Sequence, residues 1–237
     1  MICDIRRRRP TTRRPMSDDA GAVTIEFLIA FPPVFLLFLG ATQFALIAAA
    51  ELVVRHAAIE GARAATVVLD DDPRHYGGAP RLQIDGEQDG PRMTAIRAAV
   101  HPRLVAIAPG PRLPADYLAI ATAIAFPQSA GAAALQQGEV SADQLVLRVT
   151  HLVPCIVPIV SAWMCHELAW DSHEQRLHFA GADEGGGRAI EELRQAPAPE
   201  RQELLARSGV RFAVMQAEAA LPLHGAQYLY RSERGDP

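Results

Sequence analysis

The chain has 237 residues, 21% of them charged, and a formal net charge of −4 at pH 7. That balance provides no global basic field for a nucleic-acid partner, and the length suits one or two domains with a core of their own. The basic residues are all arginine, and Arg6, Arg7, Arg8, Arg9, Arg13 and Arg14 stand ahead of the first apolar run.

Residues 1–20 are polar, basic and proline-interrupted, and they predict no packed structure. From Phe27 to Ala50 the chain then runs 24 residues without a charge. A hydrocarbon core about 30 Å thick takes roughly 20 helical residues, so this run is long enough to span a bilayer. Basic residues beside a first spanning helix stay cytoplasmic. The part after about Glu51 is therefore expected across the membrane, in a periplasm-like or external space.

Three readings of the leader compete. A general signal peptidase would use Ala48-Ala49-Ala50 and leave Glu51 as the new terminus, but the run exceeds the usual apolar length of about 7–15 residues. A plain uncut anchor is the second reading. A prepilin-type leader, residues 1–21, fits the details best. The apolar segment begins directly after Gly21, and Glu26 is the fifth residue counted from Ala22. An acid inside an apolar segment is costly and is usually functional. Cleavage after Gly21 would place an α-amine on Ala22, four residues from Glu26, and an acid in the first turns suits the helix dipole. The plainer reading is that Glu26 marks the lipid headgroup boundary. A twin-arginine signal at Thr12-Arg13-Arg14 is poorly followed by Pro15 and Met16.

Residues 22–69 predict one helix that spans the membrane and continues beyond it, ended by Asp70-Asp71-Asp72-Pro73. Pro32 and Pro33 remove two backbone donors and should kink or loosen it. Small residues recur at Ala41, Ala45 and Ala49, and again at Ala57, Gly61 and Ala65. That spacing lets helix backbones approach closely in membranes, although an alanine-rich sequence produces it without any such purpose. Glu51 with Arg55, and Glu60 with Arg63, are pairs spaced to meet on a helix.

Gly21-Ala22-Val23-Thr24-Ile25-Glu26-Phe27, then Pro32, then Ala57-Ala58-Ile59-Glu60-Gly61-Ala62-Arg63-Ala64-Ala65, resembles the TadE-like family of pseudopilins. These belong to the tight-adherence (Flp-type) pilus machinery of bacteria. The chain departs from the family pattern at Ile59, where an arginine often stands, and in having two prolines rather than one. The resemblance implies that Gly21 precedes a prepilin-peptidase cut, that Ala22 is the mature terminus, and that Glu26 is the recognition acid. It also implies a single-pass protein of the bacterial inner membrane. The implied partners are a prepilin-type peptidase, other pilin or pseudopilin subunits, inner-membrane pilus machinery and the lipid bilayer.

Residues 70–91 are rich in Gly, Pro and Asp and read as a loop. Asp70, Asp71 and Asp72 lack the spaced ligands of a calcium loop and read as a solvated acidic turn. In the domain over residues 92–237, Ile96, Val100, Leu104 and Ile107 form a helical stripe with Pro102 as an interruption, and Pro109-Gly110-Pro111 is a break. A strand is expected over 116–126. Residues 143–153 alternate cleanly, with Leu145, Leu147 and Val149 on one face and Val146, Arg148 and Thr150 on the other. Leu152 to Met164 is apolar but too short for a second span, and reads as a buried loop or an apolar, partner-facing tip. A strand pair is expected over 168–179 around Asp171-Ser172. Gly185-Gly186-Gly187 is a joint, 190–208 a helical segment broken by Pro197 and Pro199, and 210–220 a strand.

Cys155 and Cys165 are an even pair in the expected exported part, suited to a disulfide in an oxidising compartment; two free buried thiols are the alternative. The set Cys155, Cys165, His166, His173 and His178 does not match zinc-site spacings. No nucleophile elbow, phosphate loop or zincin motif occurs in the sequence, so no metal, no cofactor and no enzymatic activity are expected.

The reading is an α+β, pilin-like protein: one long N-terminal transmembrane helix followed by an exported domain of mixed strands and helices. Its expected function, implied by the resemblance, is that of a minor pseudopilin or assembly component of a tight-adherence pilus or related secretion system. The alternative is a membrane-tethered envelope domain that binds a ligand or partner outside any pilus. A secreted metal-dependent enzyme using the histidines is a third reading.

Overall fold

The computed structural model describes residues 19–82, 90–108, 116–127, 144–180, 187–194, 196 and 199–222. The arginine-rich leader with Cys3, the Pro109-Gly110-Pro111 break, Gly185-Gly186 and Pro197 fall outside the described residues. The chain divides into two compact units, residues 1–40 and 41–237.

Helix α1 spans Asp19–Asp70, 52 residues, or about 78 Å at the α-helical rise. It begins two residues ahead of Gly21, continues as helix through Pro32 and Pro33, and stops within a residue of the expected end. In the first unit its described side chains are mostly exposed. Phe27, Phe31 and Phe35 stack along one side with ring centroids 5.1 and 5.5 Å apart, the spacing that i,i+4 neighbours impose.

In the second unit α1 is closed off by a built turn, not by the solvated acidic one expected. Asp70 is buried. The Asp71 carboxylate accepts from the Tyr76 hydroxyl at 3.2 Å. The Asp72 side chain accepts from the Arg74 backbone N–H at 3.0 Å and caps a 3-10 turn over Pro73–Tyr76. Arg92, buried at the start of α2 (Pro91–Leu104), donates to the carbonyls of Val68, Asp71 (3.1 Å) and Ala79 (2.9 Å). Its guanidinium also lies 4.5 Å from the centre of the Tyr76 ring. A cation on the orphan carbonyls suits the negative end of a helix dipole. Pro102 does not interrupt α2, because the bond it forfeits falls in the last turn.

After α3 (Tyr117–Ile120), five strands form one sheet: β1 (Thr122–Ala125), β2 (Gln144–Pro154), β3 (His166–Asp171), β4 (Arg176–Phe179) and β5 (Arg211–Pro222). Their order is β1-β2-β5-β3-β4 and every pair is antiparallel. The expected strand over 116–126 is thus half helical turn, with Tyr117 and Ile120 buried. The expected strands over 143–153, 168–179 and 210–220 are present. Between β2 and β3 lies α4 (Ser161–Met164); α5 (Gly187–Arg194) and α6 (Glu203–Arg207) precede β5.

The sheet is covered on both faces. Leu145, Leu147 and Val149 of β2, with Ala217 and Ala219 of β5, pack under α1 and under Ile96, Val100 and Leu104 of α2. On the opposite face Leu152, Leu168, Leu177 and Phe212 pack against Ile190 and Leu193 of α5 and Leu205 of α6. Each large side chain taken out of water contributes about 1.5–3 kcal/mol. The period-2 alternation of β2 is therefore a division between two cores, with one polar island described below.

Candidate functional site: the N-terminal helix and its anchorage

Gly21 and Ala22 lie in the first turn of α1. Glu26 and Phe27 follow on the same helix, both exposed, and Pro32 comes a turn and a half later. Ala22 and Glu26 are one turn apart, a rise of about 6 Å. The acid and its aromatic neighbour are displayed along a surface that the first unit itself leaves open.

The two rows of small residues prove different in kind. Ala57, Gly61 and Ala65 are buried within the chain's own core. A Cβ built on Gly61 would stand 2.6 Å from Val100 Cγ2 and 3.3 Å from Leu147 Cδ2, so glycine there is what lets α2 and β2 close on α1. Ala62 is buried beside it, while Arg63 is exposed and pairs with Glu60 at 3.3 Å. Glu60 also lies 4.0 Å from Arg103 of α2. Glu51 and Arg55 form the expected i,i+4 pair. By contrast Ala41, Ala45 and Ala49 are exposed. At about 100° per residue, they lie roughly opposite the stripe of Gln43, Ala50, Val54, Gly61 and Val68 that faces the chain's own domain. The Ala41, Ala45 and Ala49 side of α1 is left uncovered by the chain's own domain, whereas the Ala57–Ala65 row is buried in it.

Cys155 and Cys165 come together as a disulfide pair with Cα atoms 6.5 Å apart. They pack with Ala213 of β5 and Ile47 of α1. Just beyond, Gln43 of α1 is buried and its Oε1 accepts from the Val157 backbone N–H at 3.1 Å. The sequence reading passed over Gln43, yet it is conspicuous as an amide in an otherwise apolar run. It passed over Arg92 as well.

The polar island on β2 was legible only as alternation. Glu192 of α5 is buried. It pairs with Arg148 Nη1 at 2.6 Å, accepts from the Thr150 hydroxyl, and accepts from Gln216 Nε2 at 3.1 Å. Arg148 Nε also donates to Glu218 at 2.6 Å across the β2–β5 ladder. Burial pulls the Arg148 pKa down, and its bonds to Glu192 and Glu218 outweigh that and raise it. The group is fully paired and fastens α5 to the sheet.

His151 is fully buried, its Nδ1 2.8 Å from the Thr122 hydroxyl and its ring edge-on to Tyr117. Burial, with His101 nearby, pushes its pKa down to about 3. His101 is lowered to about 4 by burial and by Arg97. Burial likewise raises the Tyr117 pKa, and its hydroxyl donates to the Leu152 carbonyl. His173 and His178 are exposed on the β3–β4 hairpin. Among the described residues, no group of His, Cys, Asp or Glu is arranged to hold a metal.

One apolar N-terminal helix long enough to cross a bilayer, carrying a mixed helix and antiparallel-sheet domain, fits a single-pass membrane protein of α+β fold. Residues 21–63 match the family model described as TadE-like protein, so this stretch of the chain is similar to that family. No curated protein and no solved structure matches the chain.

Proposed function

We propose that the chain is a minor pseudopilin or assembly component of a tight-adherence (Flp-type) pilus or related secretion system, acting by helix packing and not by catalysis. The observation that carries this reading is the family match over residues 21–63, which begins at the glycine directly before the apolar run and includes Glu26. The leader holds the precursor with its arginines in the cytoplasm. A prepilin-type peptidase cuts after Gly21 and leaves Ala22 as the mature terminus. The helix then packs against other pilin or pseudopilin helices through Glu26 and the exposed Ala41, Ala45 and Ala49 row, alongside inner-membrane pilus machinery. The domain faces the periplasm or exterior, where an oxidising compartment would form and keep the Cys155–Cys165 disulfide.

Peptide mass spectrometry of the mature, membrane-bound protein tests the proposal. A terminus at Ala22 that disappears in Gly21→Ala is expected. A terminus at Glu51 would mean a secreted domain, and an uncut chain would favour a tethered envelope domain that never joins a pilus. Glu26→Ala is expected to impair pilus assembly far more than membrane insertion, and unchanged assembly in that variant would remove Glu26 from the mechanism.

A further inference from the structure

Outside α1, the exposed large apolar side chains among the described residues are Val105, Ile156, Ile159, Trp163, Met164 and Leu204. Four of these six lie within the nine residues from Ile156 to Met164, the tip between β2 and β3. Trp163 is 73% exposed and Ile156 68%. A cluster of this kind on a domain surface marks an interaction site. Ile159 is held outward on a backbone with φ 70°, a conformation that a β-branched residue rarely adopts and that tends to persist where it serves a function.

The tip's place along α1 says what covers it. Its backbone docks on the helix at Gln43 through Val157, and its disulfide base packs on Ile47. Glu51 is the first charge after the uncharged run. Gln43 lies eight residues before it, about 12 Å lower along the axis. The helix beside the tip stays apolar and exposed at Phe44 and Leu46. Charges stand where the end of the tip joins β3 and β5: Arg211 donates to the Ala162 carbonyl at 2.8 Å and lies 3.3 Å from Glu167. An apolar end with a tryptophan, charged groups where it joins the sheet, and a depth below the helix's own boundary is the arrangement of a lipid-inserted foot.

We infer that the Ile156–Met164 tip is a second membrane contact, inserted into the leaflet on the domain's side of the bilayer beside α1. The inference rests on α1 spanning the membrane. The Gln43–Val157 bond satisfies a backbone donor and a side-chain amide that would otherwise be unpaired in lipid. Together with the disulfide, it holds the domain at a fixed height and rotation on its helix, so that the Ala41, Ala45 and Ala49 side stays clear.

The chain has two tryptophans, Trp163 and the half-buried Trp170. The full chain is reconstituted in phosphatidylcholine vesicles, and emission is compared between wild type and Trp163→Phe, an exposed substitution that leaves the fold in place. The emission lost in Trp163→Phe is expected to be blue-shifted, quenched by brominated-chain phosphatidylcholine and insensitive to aqueous iodide. Quenching of that component by iodide and not by bromine would place the tip in water and overturn the inference. Shielding from both would mean a protein contact, a second copy included, and would also overturn it. Resistance of the same vesicles to alkaline extraction reports the span separately. A chain that resists extraction while its Trp163 stays in water refutes the foot alone, whereas an extractable chain refutes the span beneath both readings.

Discussion

Glu192 shows how much one buried side chain can carry. Its carboxylate joins α5 to β2 and β5 through Arg148, Thr150 and Gln216. Removing one partner of a buried ion pair leaves the other charge uncompensated and costs about 3–5 kcal/mol. Glu192→Ala is therefore expected to lower unfolding free energy by roughly that amount, read by urea titration of the full chain in detergent micelles. A loss below 1 kcal/mol would show that water reaches Arg148 without cost. His151 carries the pH dependence. Its folded pKa is depressed to about 3, against about 6.5 when unfolded. Below pH 6.5 the unfolded chain takes up a proton that the folded chain refuses, so stability falls as pH drops toward 3. The slope is about 1.4 kcal/mol per pH unit, or about 2 kcal/mol by pH 5. His101, depressed to about 4, acts in the same direction. Stability should be flat above pH 7 and decline toward pH 5, with part of the decline abolished in His151→Phe; equal stability at pH 7.5 and pH 5 would contradict this account. None of these roles was readable from the residues alone, because a histidine or glutamate carries no mark of whether the fold will bury it.

At the scale of elements, α1 is one continuous helix with two different jobs. Before Glu51 it offers apolar side chains to its surroundings, and beyond Val54 it is a core helix of the domain. Gly61 marks the second job. Gly61→Val would force atoms into Val100 and Leu147, and overpacking of this kind costs about 1–3 kcal/mol. For a unit of this size that is a loss of about 2–4 °C in Tm per kcal/mol, measurable by circular dichroism; an unchanged Tm would mean that α2 moves away freely. The periodicity of the row could suggest close packing but not with what. The answer was this chain's own α2 and β2, because their apolar stripes at Val100 and Leu147 are the nearest surfaces complementary to it. The disulfide is a second joint between elements. Closing a loop of about ten residues stabilises by roughly 2–3 kcal/mol. Cys165→Ser is expected to lose about that much and to loosen the tip from Ile47. Equal Tm with and without reductant in the wild type would show that the cross-link adds nothing.

Over the whole molecule, the long helix, its stop before Pro73, the stripe of α2, and the strands over 143–153, 168–179 and 210–220 were legible in the amino-acid sequence. Each is written in local periodicity, in turn residues or in the sheer length of an uncharged run, and those signals act within a few turns of chain. The resemblance to the TadE-like family, too, was legible, because the match is confined to residues 21–63. What required the fold was everything that depends on residues far apart meeting. The order β1-β2-β5-β3-β4 was one such outcome. The buried pairing of Arg148 with Glu192, the closing of α1 by Arg92, and the docking of the 155–165 segment on Gln43 and Ile47 were others. A strand's alternation says that it has two faces, but which helix covers each face is decided by competition among all the apolar stripes for one interior. Hence the local pattern of the sequence specified one apolar helix long enough to cross a bilayer, carrying an α+β domain, while packing decided which side of that helix the domain leaves uncovered.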